Sequence, residues 1–256
     1  MIRLLGRQTS GNVQKVIFCL EELGLPYVRE DYGRQFGNTL TEAYRKLNPN
    51  AKVPTLIDGD LVIWESHTIL RYLAAVHGPT LTGASAAERT MVERWMDWLL
   101  GALNTPYVAV FRDAKKAAGE RAPDFAAQSA DLLAQLKILD GHIAGRHWFA
   151  LDRFTIADIA LGSIAKRCLE FPIERPAYSE LERWQAAIDA RPGLCGGDRR
   201  QAERANASGL KAHETAARSP AMVPTADVPI RAMKHHRGRC NCAGARVNVL
   251  RPRLKA

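Results

Sequence analysis

The apolar positions of this chain follow two different rhythms. In the first third, short apolar runs alternate with helical patterns. Ile2 to Leu5 reads as a strand, and Val13, Val16, Ile17, Leu20 and Leu23 recur at helical spacing until Gly24 and Pro26 stop them. Tyr27 to Tyr32 reads as a second strand, and Thr41 to Leu47 as a short helix. Pro54 opens the run Thr55-Leu56-Ile57, which turns at Asp58-Gly59-Asp60 and returns as Leu61-Val62-Ile63-Trp64, an antiparallel pair. Glu65-Ser66 then begins a helix whose apolar face is Ile69, Leu70, Leu73 and Val76. After the turn-rich stretch Gly78 to Ala84 the rhythm is helical throughout. Ala86 to Lys116, Phe125 to Ile143 and Thr155 to Leu169 carry apolar residues at steps of three and four, and Leu181, Trp184 and Ile188 close the series before Arg191-Pro192-Gly193.

This order predicts an α/β unit followed by an all-α one. Strand, helix, strand, helix, strand, strand, helix is the order of a thioredoxin-like layer, its first two strands parallel through a right-handed crossover. The expected organisation is a thioredoxin-like domain over 1–78, a linker over 79–86, a helical bundle over 87–195 and a tail over 196–256. Within the bundle, Thr155 and Asp158 have the spacing of a capping box, with Phe154 placed to staple against Ile159, so Asp158 is expected to serve structure and not catalysis.

Charge sharpens the division. The chain carries 36 Lys+Arg and 27 Asp+Glu, a formal net charge of +9. Residues 1–195 hold 23 of each sign, so 196–256 hold 36 − 23 = 13 basic against 27 − 23 = 4 acidic residues and supply the whole excess. The basicity therefore belongs to the tail, and a nucleic-acid partner for the globular part is not expected. That tail has no aromatic residue and only 8 Ile, Leu and Val in 61 positions, a composition that predicts disorder. His235, His236, Cys240 and Cys242 lie in it at a spacing that fits no standard zinc pattern, so no metal is expected. The five cysteines are odd in number and scattered, which reads as reduced thiols. Cys19 is expected to be core packing. No apolar run approaches the length of a membrane span, and the first residues are too short and polar for a signal peptide, so a cytoplasmic protein is expected.

The candidate chemistry centres on Asn48 to Ile57 and Trp64 to Leu70. A cis Val53-Pro54 bond would leave the Val53 N–H and C=O outside the ladder, ready to pair with an extended peptide. Free N–H groups and the positive end of a helix dipole collect at Glu65-Ser66, where a carboxylate would bind. These runs, Asn-Pro followed by Val-Pro-Thr-Leu and then Glu-Ser-x-x-Ile-x-x-Tyr-Leu, resemble the N-terminal domain of the glutathione S-transferase family, and the resemblance covers roughly residues 1–195. It is closest in kind to serine-type bacterial members of theta- or beta-like character. The resemblance implies that Val53, before Pro54, pairs with the cysteinyl backbone of glutathione, and that Glu65 and Ser66 hold its γ-glutamyl end. Lys52 is a candidate for the glycyl carboxylate, and Gln35 or Asn38 for a further polar contact.

The reaction needs glutathione as thiolate. A free thiol titrates near ~8.5, and lowering that by about two units takes about 2.7 kcal/mol. A helix N-terminus supplies roughly 0.3–1 kcal/mol and a hydrogen bond to the charged sulfur about 1.5–3, so one donor suffices without a metal. Ser10 best matches the family's serine position, Thr9 is next, and Asn12 is the third option. The expected activity is conjugation of glutathione to an apolar electrophile by a homodimer, with Trp95, Trp98, Tyr107 and Phe111 as candidate walls of the second site. Two other readings remain open: a glutathione-dependent disulfide reductase or peroxidase on the same site, and a non-catalytic interaction module of the same fold. The lack of cysteine among residues 7–12 disfavours cysteine-based exchange.

Overall fold

A computed structural model describes residues 1–191 and Gly193. The expected tail, with its disorder and its His235 to Cys242 cluster, lies outside the described residues. Four strands form one mixed sheet in the order β2-β1-β3-β4, with β1 Ile2–Leu5, β2 Tyr27–Glu30, β3 Thr55–Asp58 and β4 Leu61–Trp64. β1 and β2 run parallel, with Ile2 opposite Tyr27. β1 and β3 are antiparallel with Leu5 opposite Thr55, and β3 and β4 are antiparallel with Thr55 opposite Trp64. The second strand stops two residues earlier than its apolar pattern suggests, because Asp31 and Tyr32 leave the ladder for a loop. In that loop Gly33 has φ 86° and its N–H donates to Asn38 Oδ1 at 3.0 Å, while Asn38 Nδ2 donates to the Asp31 carbonyl at 2.9 Å.

The register has a direct consequence for the site. Leu5 and Trp64 both sit opposite Thr55, so three chain segments leave the sheet at one end. They are the Gly6 to Ser10 turn after β1, the Val53-Pro54 bend before β3, and Glu65-Ser66 after β4.

Helix α1, Gly11–Glu22, and helix α3, Ser66–His77, pack against each other beside the sheet. Val13, Val16, Leu20, Ile69, Leu70 and Leu73 are wholly buried. α1 ends where Gly24, at φ 63°, lets the Leu25 N–H reach back to the Leu20 carbonyl at 2.9 Å. The short helix α2, Glu42–Leu47, is capped by Thr41 Oγ1, which accepts from the Tyr44 N–H.

The helical half comprises α4 Ala86–Trp98, α5 Asn104–Asp113, α6 Phe125–Ile143, α7 Ile156–Leu169 and α8 Ser179–Asp189. The single helix expected over Ala86 to Lys116 is instead α4 and α5 joined by a π-helical turn, Leu99–Leu103. α7 is the centre: every residue from Ile156 to Ala165 is buried. It packs against α1, α3, α4 and α8. Gly162 lets α8 approach, since a Cβ there would lie 2.9 Å from Ile188 Cγ2. No helix among the described residues is long and apolar enough to cross a membrane.

The core also holds an amine. Lys15 on α1 is wholly buried, its Nζ 3.0 Å from His67 Nε2 on α3. Burial lowers the Lys15 ammonium to about 7, with Glu65 pulling the other way. Burial and then Lys15 lower the His67 imidazole to about 2, so it is neutral. A base whose folded pKa lies below its unfolded value binds fewer protons when folded, so it raises stability as pH rises between the two values, here from about 7 towards 10.5. Lys15→Met is expected to cancel this. Denaturant titration at pH 7 and pH 9 should show wild type gaining about 2 kcal/mol more than the variant. Equal gains in both proteins would contradict the buried neutral amine.

Candidate functional site

Ser10 occupies the position before the first turn of α1, with φ −80° and ψ 124°, yet its side chain makes no capping hydrogen bond. Ser10 as a residue is nine-tenths buried and lines two adjoining cavities, of about 310 and 170 Å³. A small donor with no partner among the described residues, at the positive end of a helix, is free to meet an anion. Asn12 lines both cavities and Thr9 only the smaller. Both are exposed. The Thr9 carbonyl accepts from Arg167 Nη2 at 3.0 Å.

The larger cavity is also lined by Arg7, Gly33, Arg34, Thr39, Ala51, Lys52 and Val53. The Val53-Pro54 bond is cis, and Val53 precedes both ladders of β3, which begin at Thr55. A polar network fixes the bend: the Lys52 carbonyl accepts from Tyr44 Oη at 2.7 Å and from Asn48 Nδ2 at 2.8 Å. Thr55 Oγ1 lies 2.9 Å from Tyr44 Oη and 3.2 Å from Asn48 Nδ2. With its carbonyl held, Lys52 is left with an exposed side chain at the rim. Gly33 makes the crowding possible, since a Cβ there would lie 2.9 Å from Arg7 Nη1 and 3.4 Å from Val53 Cγ1.

Glu65 has φ 70° and ψ 116°, a conformation that costs a non-glycine residue about 1–3 kcal/mol. Its carboxylate caps nothing and is exposed. The backbone here is aimed by the helix start: the Glu65 carbonyl accepts from the Ile69 N–H at 3.0 Å, and Ser66 is buried as the first helical residue. Gln35 is exposed, and Asn38 braces the Asp31 to Gly33 loop.

Of the four aromatic candidates, Tyr107 and Phe111 line the smaller cavity. Trp95 does not: it is buried against His142 and Phe149, with centroids at 4.3 and 5.1 Å. Trp98 packs on Trp95 at 5.6 Å. Both lie on α4, whereas the wall of the cavity comes from α5 and α7. Helical spacing alone marks an apolar face without saying which neighbour it meets.

Sequence reasoning missed three cations. Arg7, Arg34 and Arg167 all line the smaller cavity. Burial, then Arg34 and Arg167, lower the Arg7 guanidinium from its ordinary value. They are 27 or more residues apart, and no local pattern relates them. Cys19 is core, and burial pushes its thiol up to about 12, which removes it as a nucleophile. Among the described residues no group of three or more His, Cys, Asp or Glu is placed to hold a metal.

Two family models match the chain: the glutathione S-transferase N-terminal domain over residues 9–76 and the glutathione S-transferase C-terminal domain over 89–192. Glutathione S-transferase GstB of Escherichia coli K12 is 35% identical over 201 residues, covering 76% of this chain and 96% of the relative. A theta class glutathione S-transferase from the citrus canker pathogen Xanthomonas axonopodis pv. citri, solved with glutathione bound, superposes with a TM-score of 0.73 at 39% identity. That match covers 77% of this chain and 96% of the other. A glutathione transferase from Pseudomonas putida, solved with one glutathione disulfide per subunit, gives 0.69 at 25% identity, covering 77% and 90%. The chain therefore belongs to the glutathione S-transferase family and is a glutathione transferase.

Proposed function

We propose that the end of the sheet where β1, β3 and β4 open binds glutathione and that Ser10 holds its sulfur as thiolate for transfer to an electrophilic carbon. The observation that carries this is the register: Ser10, Val53 and Glu65-Ser66 leave the sheet on one side, each with a polar group that nothing among the described residues engages or a helix end turned outward. Val53 N–H and C=O pair with the cysteinyl unit as an added strand would. The Glu65 carboxylate meets the γ-glutamyl ammonium, and the Ser66 N–H and hydroxyl meet its carboxylate at the helix entrance. Lys52 at the rim faces the glycyl carboxylate. In this division of labour residues 1–78 hold the tripeptide, and the helical part over 87–195 supplies the electrophile's site.

Positioning and thiolate stabilisation are then the chain's two contributions to rate. The Ser10 hydroxyl donates to the sulfur, Asn12 and the α1 N–H groups stand behind it, and Arg7 adds positive field from the same cavity. The protein is expected to work as a cytoplasmic homodimer. Free, buried Cys19 and Cys168 suit a reducing compartment. Leu61 and Trp64 on the edge strand and Met91 on α4 present exposed apolar surface for a second copy.

Glu65→Ala tests the tripeptide cradle. It keeps the positive φ and removes only the carboxylate, so KM for glutathione is expected to rise about tenfold or more, as for a lost charge-assisted hydrogen bond, with a smaller change in kcat. An unchanged KM and unchanged retention on immobilised glutathione would overturn the cradle.

A further inference from the structure

We infer that the second-substrate site of this protein is built for an electrophile that carries an anionic group beside an aromatic or apolar body, with Arg34 and Arg167 as its anion clamp. This deepens the transferase reading above and rests on it.

The two guanidiniums lie on different elements, Arg34 in the loop after β2 and Arg167 on α7, yet each stands 5.9 Å from the centroid of the Phe111 ring on α5. Phe111 is 39% exposed, and Tyr107 stacks on Phe171 at 6.0 Å and 22°. Together they make an open aromatic platform with cations along its edge. The platform links the smaller cavity, which reaches Ser10, to an outer one of about 210 Å³ whose lining adds Lys115.

The charges there are uncompensated. Residues 1–195 balance overall, but among the described residues Arg7, Arg34, Arg167 and Lys115 enter no ion pair. Arg167 has neutral partners, the Thr9 carbonyl and Gln14 Oε1. The lone acidic residue lining the smaller and outer cavities is Glu170, at the outer one. The crowding of like charge also registers on Arg7, whose guanidinium is lowered by burial, Arg34 and Arg167.

A wholly apolar substrate would strip water from these guanidiniums and return nothing. A carboxylate would return charge-assisted hydrogen bonds. Glutathione does not account for Arg167, which does not line the cavity holding Lys52 and Val53.

The test uses 4-(chloromethyl)benzoate and its methyl ester. With either, the glutathione thiolate attacks the benzylic carbon, the C–S bond forms, the C–Cl bond breaks and chloride leaves with the electron pair. The carboxylate or ester is untouched. Each kcat/KM is divided by the uncatalysed rate with glutathione, and the acid-to-ester ratio is compared within each protein, which cancels shared effects on glutathione. Wild type is expected to prefer the acid about tenfold or more. Arg34→Gln and Arg167→Gln should each reduce the ratio severalfold, and added salt should reduce it in wild type.

Equal turnover of acid and ester, or a preference undiminished in both variants, overturns the clamp and leaves the transferase reading standing. Failure to bind glutathione at all sinks both. If the acid is not preferred and glutathione disulfide competes only when Arg167 is intact, the cations serve a second tripeptide and the inference is overturned in favour of disulfide chemistry.

Discussion

Asp158→Ala lowers the unfolding free energy by about 3–5 kcal/mol, several times what a lost helix cap costs. The carboxylate is fully buried and accepts from four donors: the Phe149 N–H and Trp184 Nε1 on Oδ1, at 3.0 and 3.1 Å, and the Thr155 N–H and Oγ1 on Oδ2, at 2.9 and 3.1 Å. Burial pushes the Asp158 carboxyl up to about 6, against the pull of those hydrogen bonds, so it is ionised at neutral pH. Ionising it inside the fold is itself unfavourable. Removing it is worse, because four donors lose their acceptor in a place water does not reach. The donors come from the loop before α7, from the start of α7 and from α8, so the carboxylate ties three segments around the central helix. A melting temperature lower by about 10 °C is the expected reading for a chain of this size, with glutathione affinity unchanged in the folded fraction at low temperature. A shift of under two degrees, or lost binding at full stability, would contradict the structural role.

Ser10→Ala is expected to reduce kcat/KM for conjugation about ten- to a hundredfold near pH 6.5 and to shift the pH–rate profile towards alkaline pH by about one to two units. A hydrogen bond to a charged acceptor contributes about 1.5–3 kcal/mol, which is one to two pKa units on the bound thiol. Ser10 is the better candidate than its neighbours, because it is buried, lines both cavities and caps nothing, whereas Thr9 and Asn12 are exposed. Folding is not at stake, since no internal hydrogen bond is removed, so ultraviolet titration of the bound thiol and the rate profile can be read on a stable protein. A variant with full activity and an unshifted thiol would transfer the role to Asn12, Thr9 or the α1 backbone.

Both arguments begin with residues that were visible in the chain, yet they differ in what the chain could say. Thr155 and Asp158 were recognisable as a capping box because a helix start is local: partners three residues apart are brought together by the helix itself. The same holds for the hairpin around Asp58-Gly59, the strands at Ile2 and Tyr27, and the apolar faces of α1 and α3. The remaining work of Asp158, accepting from Phe149 and Trp184, spans 9 and 26 positions, and no periodicity reports it. Tyr44 likewise reads as one apolar position of a short helix, although its hydroxyl holds the Lys52 carbonyl.

What the amino-acid order determined by itself was therefore what is decided within a turn, a strand or a helix face: the element sequence apart from the π-helical break between α4 and α5, the α/β then all-α division, the Val53-Pro54 bend and the Glu65-Ser66 helix entrance. The tertiary structure alone decided which side chains meet across elements. It placed Trp95 in the core with the half-buried Trp98 packed against it, turned Tyr107 and Phe111 into cavity wall, and gathered Arg7, Arg34 and Arg167 from three distant segments around one cavity. The physical reason is range. Hydrogen bonding along the backbone and side-chain periodicity act over a few residues and are written locally, whereas the field at a cavity sums charges by distance in space, which the chain acquires only on folding.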